Sequence, residues 1–120
     1  MLPQKNVREL CELNGISVVS YAPLGRPGNL KDGDPVLIQH PVVLRIAEER
    51  GLSPAQILLQ WQIEKGLSAI PKSSSQEHMV ENLACMNVSI DSNDITALDT
   101  LDVTHRFCNY KWCYGCFVFD

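Results

Sequence analysis

One lysine, three consecutive serines and a histidine stand close together in "IPKSSSQEHMVEN", residues 70–82, between a short apolar run and a stretch with helical spacing. Lys72 supplies a full positive charge, and Ser73, Ser74 and Ser75 supply hydroxyl donors. His78, one turn into the helix, adds a further donor and a charge when protonated. A helix N-terminus presents unpaired backbone N–H groups and the positive end of its dipole, so this combination can hold a phosphate. Strand, lysine, serine cap and helix is also an ordinary way to turn a corner, and the residues alone leave both readings open.

The elements that must position this hinge alternate along the chain. Val7, Leu10 and Cys11 have helical spacing within residues 4–14, with Asn14 and Gly15 placed to end a helix. "ISVVSY" (16–21) is β-branched, aromatic and uncharged, as a buried strand should be. "APLGRPGNLKDGDP" then stacks proline and glycine so densely that only a loop fits. Val43, Ile46 and Ala47 predict a second helix over 40–50, stopped at Gly51. Ser53, Pro54 and Gln56 predict a capping box opening a third helix, with Ile57, Leu58 and Trp61, that ends at Gly66. "LSAI" (67–70) reads as a second buried strand ended by Pro71, and Ser74 with Glu77 as a second capping box before Met79, Val80 and Leu83. A last helix near 92–101 starts from Asp91 or Ser92 and buries Ile95, Leu98 and Leu101. Trp61 and Met79 are expected in the core, and His40 and His105 in loops or at helix starts. The only hint of a repeat is helix, Gly, Ile or Leu, Ser, at "NGIS", "RGLS" and "KGLS".

Helix, strand, helix, helix, strand, helix is the rhythm of an α/β protein with parallel strands. Two strands cannot cover their own faces and edges, so the chain is expected to be a slice of a larger sheet. In such architectures ligands bind at the carboxyl ends of strands, where both polar hinges lie.

Composition narrows the partners. The 120 residues are 45% hydrophobic and 20% charged, enough for one modest core. A net charge of -4 with ten dispersed lysines and arginines argues against nucleic acid. "MLPQKNVREL" lacks the apolar run of a signal peptide, and no window reaches the roughly 18 apolar residues of a membrane span, so a soluble, cytoplasmic protein with no membrane partner is expected. Five cysteines without a secretory signal point to free thiols rather than a disulfide framework.

"VVSYAPLG", then "LSPAQILLQW", then "IPKSSSQEHMVEN" closely resemble the aldo-keto reductase family, in the order and spacing of its seventh strand, its eighth strand and the helix after each. The likeness runs from about Leu2 to about Trp112, with residues 1–103 as the C-terminal part of the barrel and 104–120 as a divergent tail. The resemblance implies a partial (β/α)8 TIM barrel, with only two parallel strands and about five helices in this chain. It also implies NADP(H) as cofactor in the reduction of aldehydes and ketones. Tyr21 would stack on the nicotinamide, and the backbone at Leu24 and Gly25 would border the pyrophosphate. Lys72, Ser73 and Ser75, with Ser74 beside them, would grip the adenosine 2'-phosphate, and Glu81 and Asn82 would face the adenine. His78 stands where the family usually has an arginine, which loosens the expected preference for NADP(H) over NAD(H). An acidic residue shortly after "PLG" often closes a belt over the cofactor by pairing with the lysine. Here Arg26 and Gly28 replace it, leaving Asp32 or Asp34 as substitutes.

The family's catalytic Asp, Tyr, Lys and His come from its first four strands, so the resemblance assigns no catalytic residue to this chain. Tyr21 and Lys72 are not those residues. A carbonyl substrate is thus expected only in a full-length parent. The chain itself is expected to be an inactive fragment, poorly folded alone. The alternative is a truncated isoform that binds NADP(H) without catalysis, or regulates a full-length relative by associating with it. In the tail, Trp112 or Tyr114 would line a substrate pocket by the same resemblance. A zinc site from His105, Cys108, Cys113 and Cys116 is the weaker reading, because zinc ligands more often come as paired CxxC units, and no metal is expected.

Overall fold

The computed structural model describes residues 4–101 together with His105 and Phe107. Five helices, α1 (Lys5–Leu13), α2 (Pro41–Arg50), α3 (Pro54–Glu64), α4 (Gln76–Ala84) and α5 (Ser92–Asp99), are threaded by two strands, β1 (Val19–Tyr21) and β2 (Ser68–Ile70). Single 3-10 turns at Leu37–Gln39 and Cys85–Asn87 complete the order. The strands pair in parallel, with Val19 opposite Ser68, Ser20 opposite Ala69 and Tyr21 opposite Ile70. This is an α/β arrangement with two parallel strands, as expected for part of a βα barrel.

Helix ends follow local chemistry. The three "Gly, Ile or Leu, Ser" segments are one device used three times. At Gly15, Gly51 and Gly66 φ is +65°, +63° and +73°, and the next N–H reaches back to the last turn: Ile16 to the Cys11 carbonyl, Leu52 to Ala47, Leu67 to Gln62. These are Schellman ends, which need a left-handed residue and so favour glycine. The capping box of α3 forms as expected: the Gln56 N–H donates to Ser53 Oγ (3.2 Å) and the Ser53 N–H to Gln56 Oε1 (3.0 Å). His40 starts α2 by accepting from the Val42 N–H at Nδ1. Asp91 caps α5, accepting from the Asn93 and Asp94 N–H groups (2.9 Å each).

A wedge of α2, α3 and α5 holds the core. Val43, Ile46, Ile57, Leu58, Trp61, Ile90 and Leu98 are buried there against Leu37 from the first 3-10 turn. Two polar clamps close it. Trp61 Nε1 donates to Asp99 Oδ1 (2.9 Å). Arg50, at the end of α2, donates to both Asp91 and Asp94.

Three expectations are corrected. The strands are three residues long rather than six and four, and they are not buried. Only Ser20 and Ala69 turn toward the helices, while Val19, Tyr21 and Ile70 are 52%, 67% and 53% exposed. Side chains alternate across a strand, and among the described residues helices cover one face of this sheet alone. Met79 is 50% exposed rather than core, because the apolar stripe of α4 extends past its contact with α3. The cap of α4 is Ser75, which accepts from the His78 N–H, and not Ser74. Both described cysteines, Cys11 and Cys85, are free thiols as expected, and burial pushes the Cys85 thiol up from its ordinary pKa. No helix of the described residues is long and apolar enough to cross a membrane.

Candidate functional site

At the carboxyl end of the strand pair lies a cleft of about 740 Å³, within the roughly 300–1,000 Å³ usual for small-molecule sites. Two segments form its walls. One runs from Tyr21 at the end of β1 through Ala22, Pro23 and Leu24 to Asn29, and the other from Ile70 at the end of β2 through Lys72, Ser73, Ser74 and Ser75 to His78. Parallel pairing in register makes them neighbours, because Tyr21 and Ile70 are opposite one another at the strand ends.

The wall after β2 is tied to itself. Ser73 Oγ donates to the Ser75 carbonyl and accepts from the Ser75 N–H (3.1 Å each), so its hydroxyl hydrogen is spent inside the hinge. Ser75 Oγ accepts from the His78 N–H (3.4 Å) and keeps its own hydrogen. The Gln76 and Glu77 N–H groups, in the first turn of α4, have no intrahelical acceptor. Lys72 is exposed, with Nζ 3.5 Å from Ser74 Oγ, and among the described residues no carboxylate pairs with it. Glu77, also in the first turn, weakens the field that an anion would meet there.

The wall after β1 is strained. Ala22 and Arg26 both have φ +56°, a left-handed conformation costly for residues other than glycine. Gly25 lies between them at φ +72°, and its N–H closes the turn by donating to the Ala22 carbonyl (3.0 Å). A Cβ on Gly25 would come within 2.9 Å of Leu37 Cδ1 and 3.0 Å of Phe107 Cζ, so this glycine is also required by close packing. From α3, the Gln62 side chain reaches into the turn. Its Nε2 donates to the Pro23 carbonyl (3.0 Å) and its Oε1 accepts from Ser20 Oγ.

The cleft thus gathers Tyr21, Leu24, Lys72, Ser73, Ser74, Ser75 and His78. Gly25, Glu81 and Asn82 do not line it. Glu81 presents its carbonyl to Gln56 Nε2 (3.3 Å), and Asn82 lines a more apolar hollow between α3, β2 and α4. Arg26 and Gly28 border the cleft, whereas Asp34 accepts from the Lys31 N–H (2.8 Å) and pairs with His105 Nε2 (3.2 Å). Asp34 is therefore engaged elsewhere and not with Lys72. Among the described residues no cluster of three or more potential metal ligands occurs. Cys108, Cys113, Cys116, Trp112 and Tyr114 lie outside the described residues.

Charge distinguishes this cleft from the rest of the surface. Its described lining holds Lys72 and Arg26, with His78, and no carboxylate, in a chain whose net charge is -4. Converging cations, hydroxyls and backbone N–H groups favour an anionic ligand. Beside them, the aromatic face of Tyr21 offers a flat apolar surface.

Sequence reasoning missed Gln62. The available signal was its setting: α3 is apolar nearly all round, with Ile57, Leu58, Leu59, Trp61 and Ile63, and a polar side chain inside such a helix must find a partner.

The model of the aldo/keto reductase family matches residues 1–103. Aldo-keto reductase family 1 member A1 of Bos taurus is 36% identical over 108 residues, covering 88% of this chain and 33% of that protein; the Homo sapiens protein of the same name is 35% identical over 108 residues. The NADH-dependent D-xylose reductase of Candida parapsilosis is 34% identical over 118 residues, covering 92% of this chain and 36% of that protein. The chain spans about a third of the length of these relatives.

Proposed function

The chain belongs to the aldo/keto reductase family, and we propose that it carries the dinucleotide-binding part of an NADP(H)-dependent carbonyl reductase. Lys72, Ser74, Ser75 and the first N–H groups of α4 receive the adenosine 2'-phosphate. The turn at Ala22–Arg26 borders the pyrophosphate, and Tyr21 stacks on the nicotinamide. When bound, the cofactor supplies the hydride; these residues hold and orient it, and none of them is assigned to proton transfer.

The observation that carries this reading is the cleft itself, which joins an aromatic strand end to a lysine-bearing hinge across two adjacent strands, with no carboxylate among its described lining residues. The residues fit a phosphorylated dinucleotide because Lys72, unpaired with any carboxylate among the described residues, stands at a helix N-terminus. His78 in that hinge and the name of the Candida parapsilosis relative, an NADH-dependent reductase, make the margin over NAD(H) a quantity to measure.

Fluorescence titration of the 120-residue chain with NADPH and NADH tests the proposal. Saturable NADPH binding is expected, weakened about tenfold by Lys72→Ala, the effect of losing one charge-assisted contact. NADH binding should change little. Absence of saturable NADPH binding up to millimolar concentration would overturn the reading.

A further inference from the structure

Gln62 is 3% exposed, and its amide is engaged on both sides. Nε2 donates to the Pro23 carbonyl (3.0 Å) and to the Leu58 carbonyl one turn back in α3 (2.8 Å), while Oε1 accepts from Ser20 Oγ. Ser20 and Pro23 bracket Tyr21 and Ala22. One buried side chain from the helix layer therefore grips the chain on either side of the two residues where the strand ends and the backbone turns left-handed.

We propose that Gln62 is a positioning residue for the half of the dinucleotide site built by the turn after β1; the inference rests on the function proposed above. The strained φ at Ala22 and Arg26 persists only where surrounding structure over-determines it, and two hydrogen bonds from a buried amide are such a constraint. An apolar side chain at 62 would leave the Pro23 carbonyl and the Ser20 hydroxyl without this partner in a dry interior. The turn would then relax, carrying Tyr21 and Leu24 out of place. The hinge after β2 has its own ties through Ser73 and Ser75, so loss of Gln62 leaves it standing. A residue with a purely structural role would instead weaken both halves together.

The two halves are separable with two probes. NADPH spans both walls, whereas adenosine 2',5'-bisphosphate engages only the hinge after β2. In the 120-residue chain, Gln62→Leu should weaken NADPH binding about tenfold, the equivalent of one lost buried hydrogen bond, and leave bisphosphate binding unchanged within about twofold. Should Gln62→Leu fail to fold, as judged by circular dichroism, Ser20→Ala removes a single tie and should shift the same ratio by about threefold. Equal loss for both probes, or no change in either, would overturn the role of Gln62 while leaving the site in place. Failure of the unsubstituted chain to bind either probe would instead overturn the site, and the inference with it.

Discussion

The turn after β1 and the hinge after β2 stand side by side at the same end of one sheet, yet they are held in opposite ways. The hinge is secured by its own neighbours: Ser73 and Ser75 bond within five residues of each other, and α4 begins on the second of them. The turn is secured from afar, by Gln62 on α3, by Leu37 beyond the loop, and by Phe107. Locally tied segments keep their shape when distant parts move, whereas distantly tied ones report the state of the whole core. The lysine and serines can therefore hold an anion with little help. Placing the ring of Tyr21 depends on the helix wedge.

The largest effect should come from attacking the distant ties where they are tightest. Gly25→Val places a branched side chain at φ +72° against Leu37 and Phe107. Left-handed strain and overpacking together should cost about 3 kcal/mol, measured as a lower midpoint in urea. If the midpoint held, the turn would not depend on that packing and the contrast between the two walls would fail. A smaller effect is expected from the local side. Ser75→Ala removes the cap of α4 and should cost about 1 kcal/mol, whereas Ser74→Ala, at an exposed position that caps nothing, should stay within about 0.5 kcal/mol. The reverse ranking would restore Ser74 as the cap and redraw the hinge.

The same contrast explains what could be read from the sequence. Helix starts at Ser53 and at Asp91 or Ser92, and helix ends at Gly15, Gly51 and Gly66, were legible because each is written in residues a few positions apart, and the parallel pairing of the two strands followed from the alternation of helix and strand along the chain. The cationic hinge was legible for that reason too. Ser74 and Ser75 were not separable by pattern, since either can cap and only the backbone conformation decides. Gln62 bonds to residues about forty positions away, and no local rule reveals such a tie. The strands looked buried because their residues are β-branched and apolar. That composition suits a sheet covered on both faces, and here one face carries Val19, Tyr21 and Ile70 in the open.

The most modest prediction asks whether the turn truly follows the wedge. Asp91 lies below the usual carboxylate range, first because the Asp94 N–H bonds to it and then because Arg50 does; the same pair of acids raises Arg50 above its ordinary value. A carboxyl whose pKa is lower folded than unfolded stabilises the fold above its unfolded value, near 4, and loses that contribution as pH falls through the lowered folded value. Acid should therefore release the α2–α5 clamp. Amide exchange would then show the Gly25 N–H losing protection between about pH 5 and pH 3, since Leu37 and Gln62 are held by that wedge. Asp91→Asn keeps a capping oxygen but removes the charge, and should flatten this pH dependence. If protection at Gly25 were flat with pH in the unsubstituted chain, the turn would be fixed by its own backbone, and the division between a self-held hinge and a core-held turn would have to be abandoned.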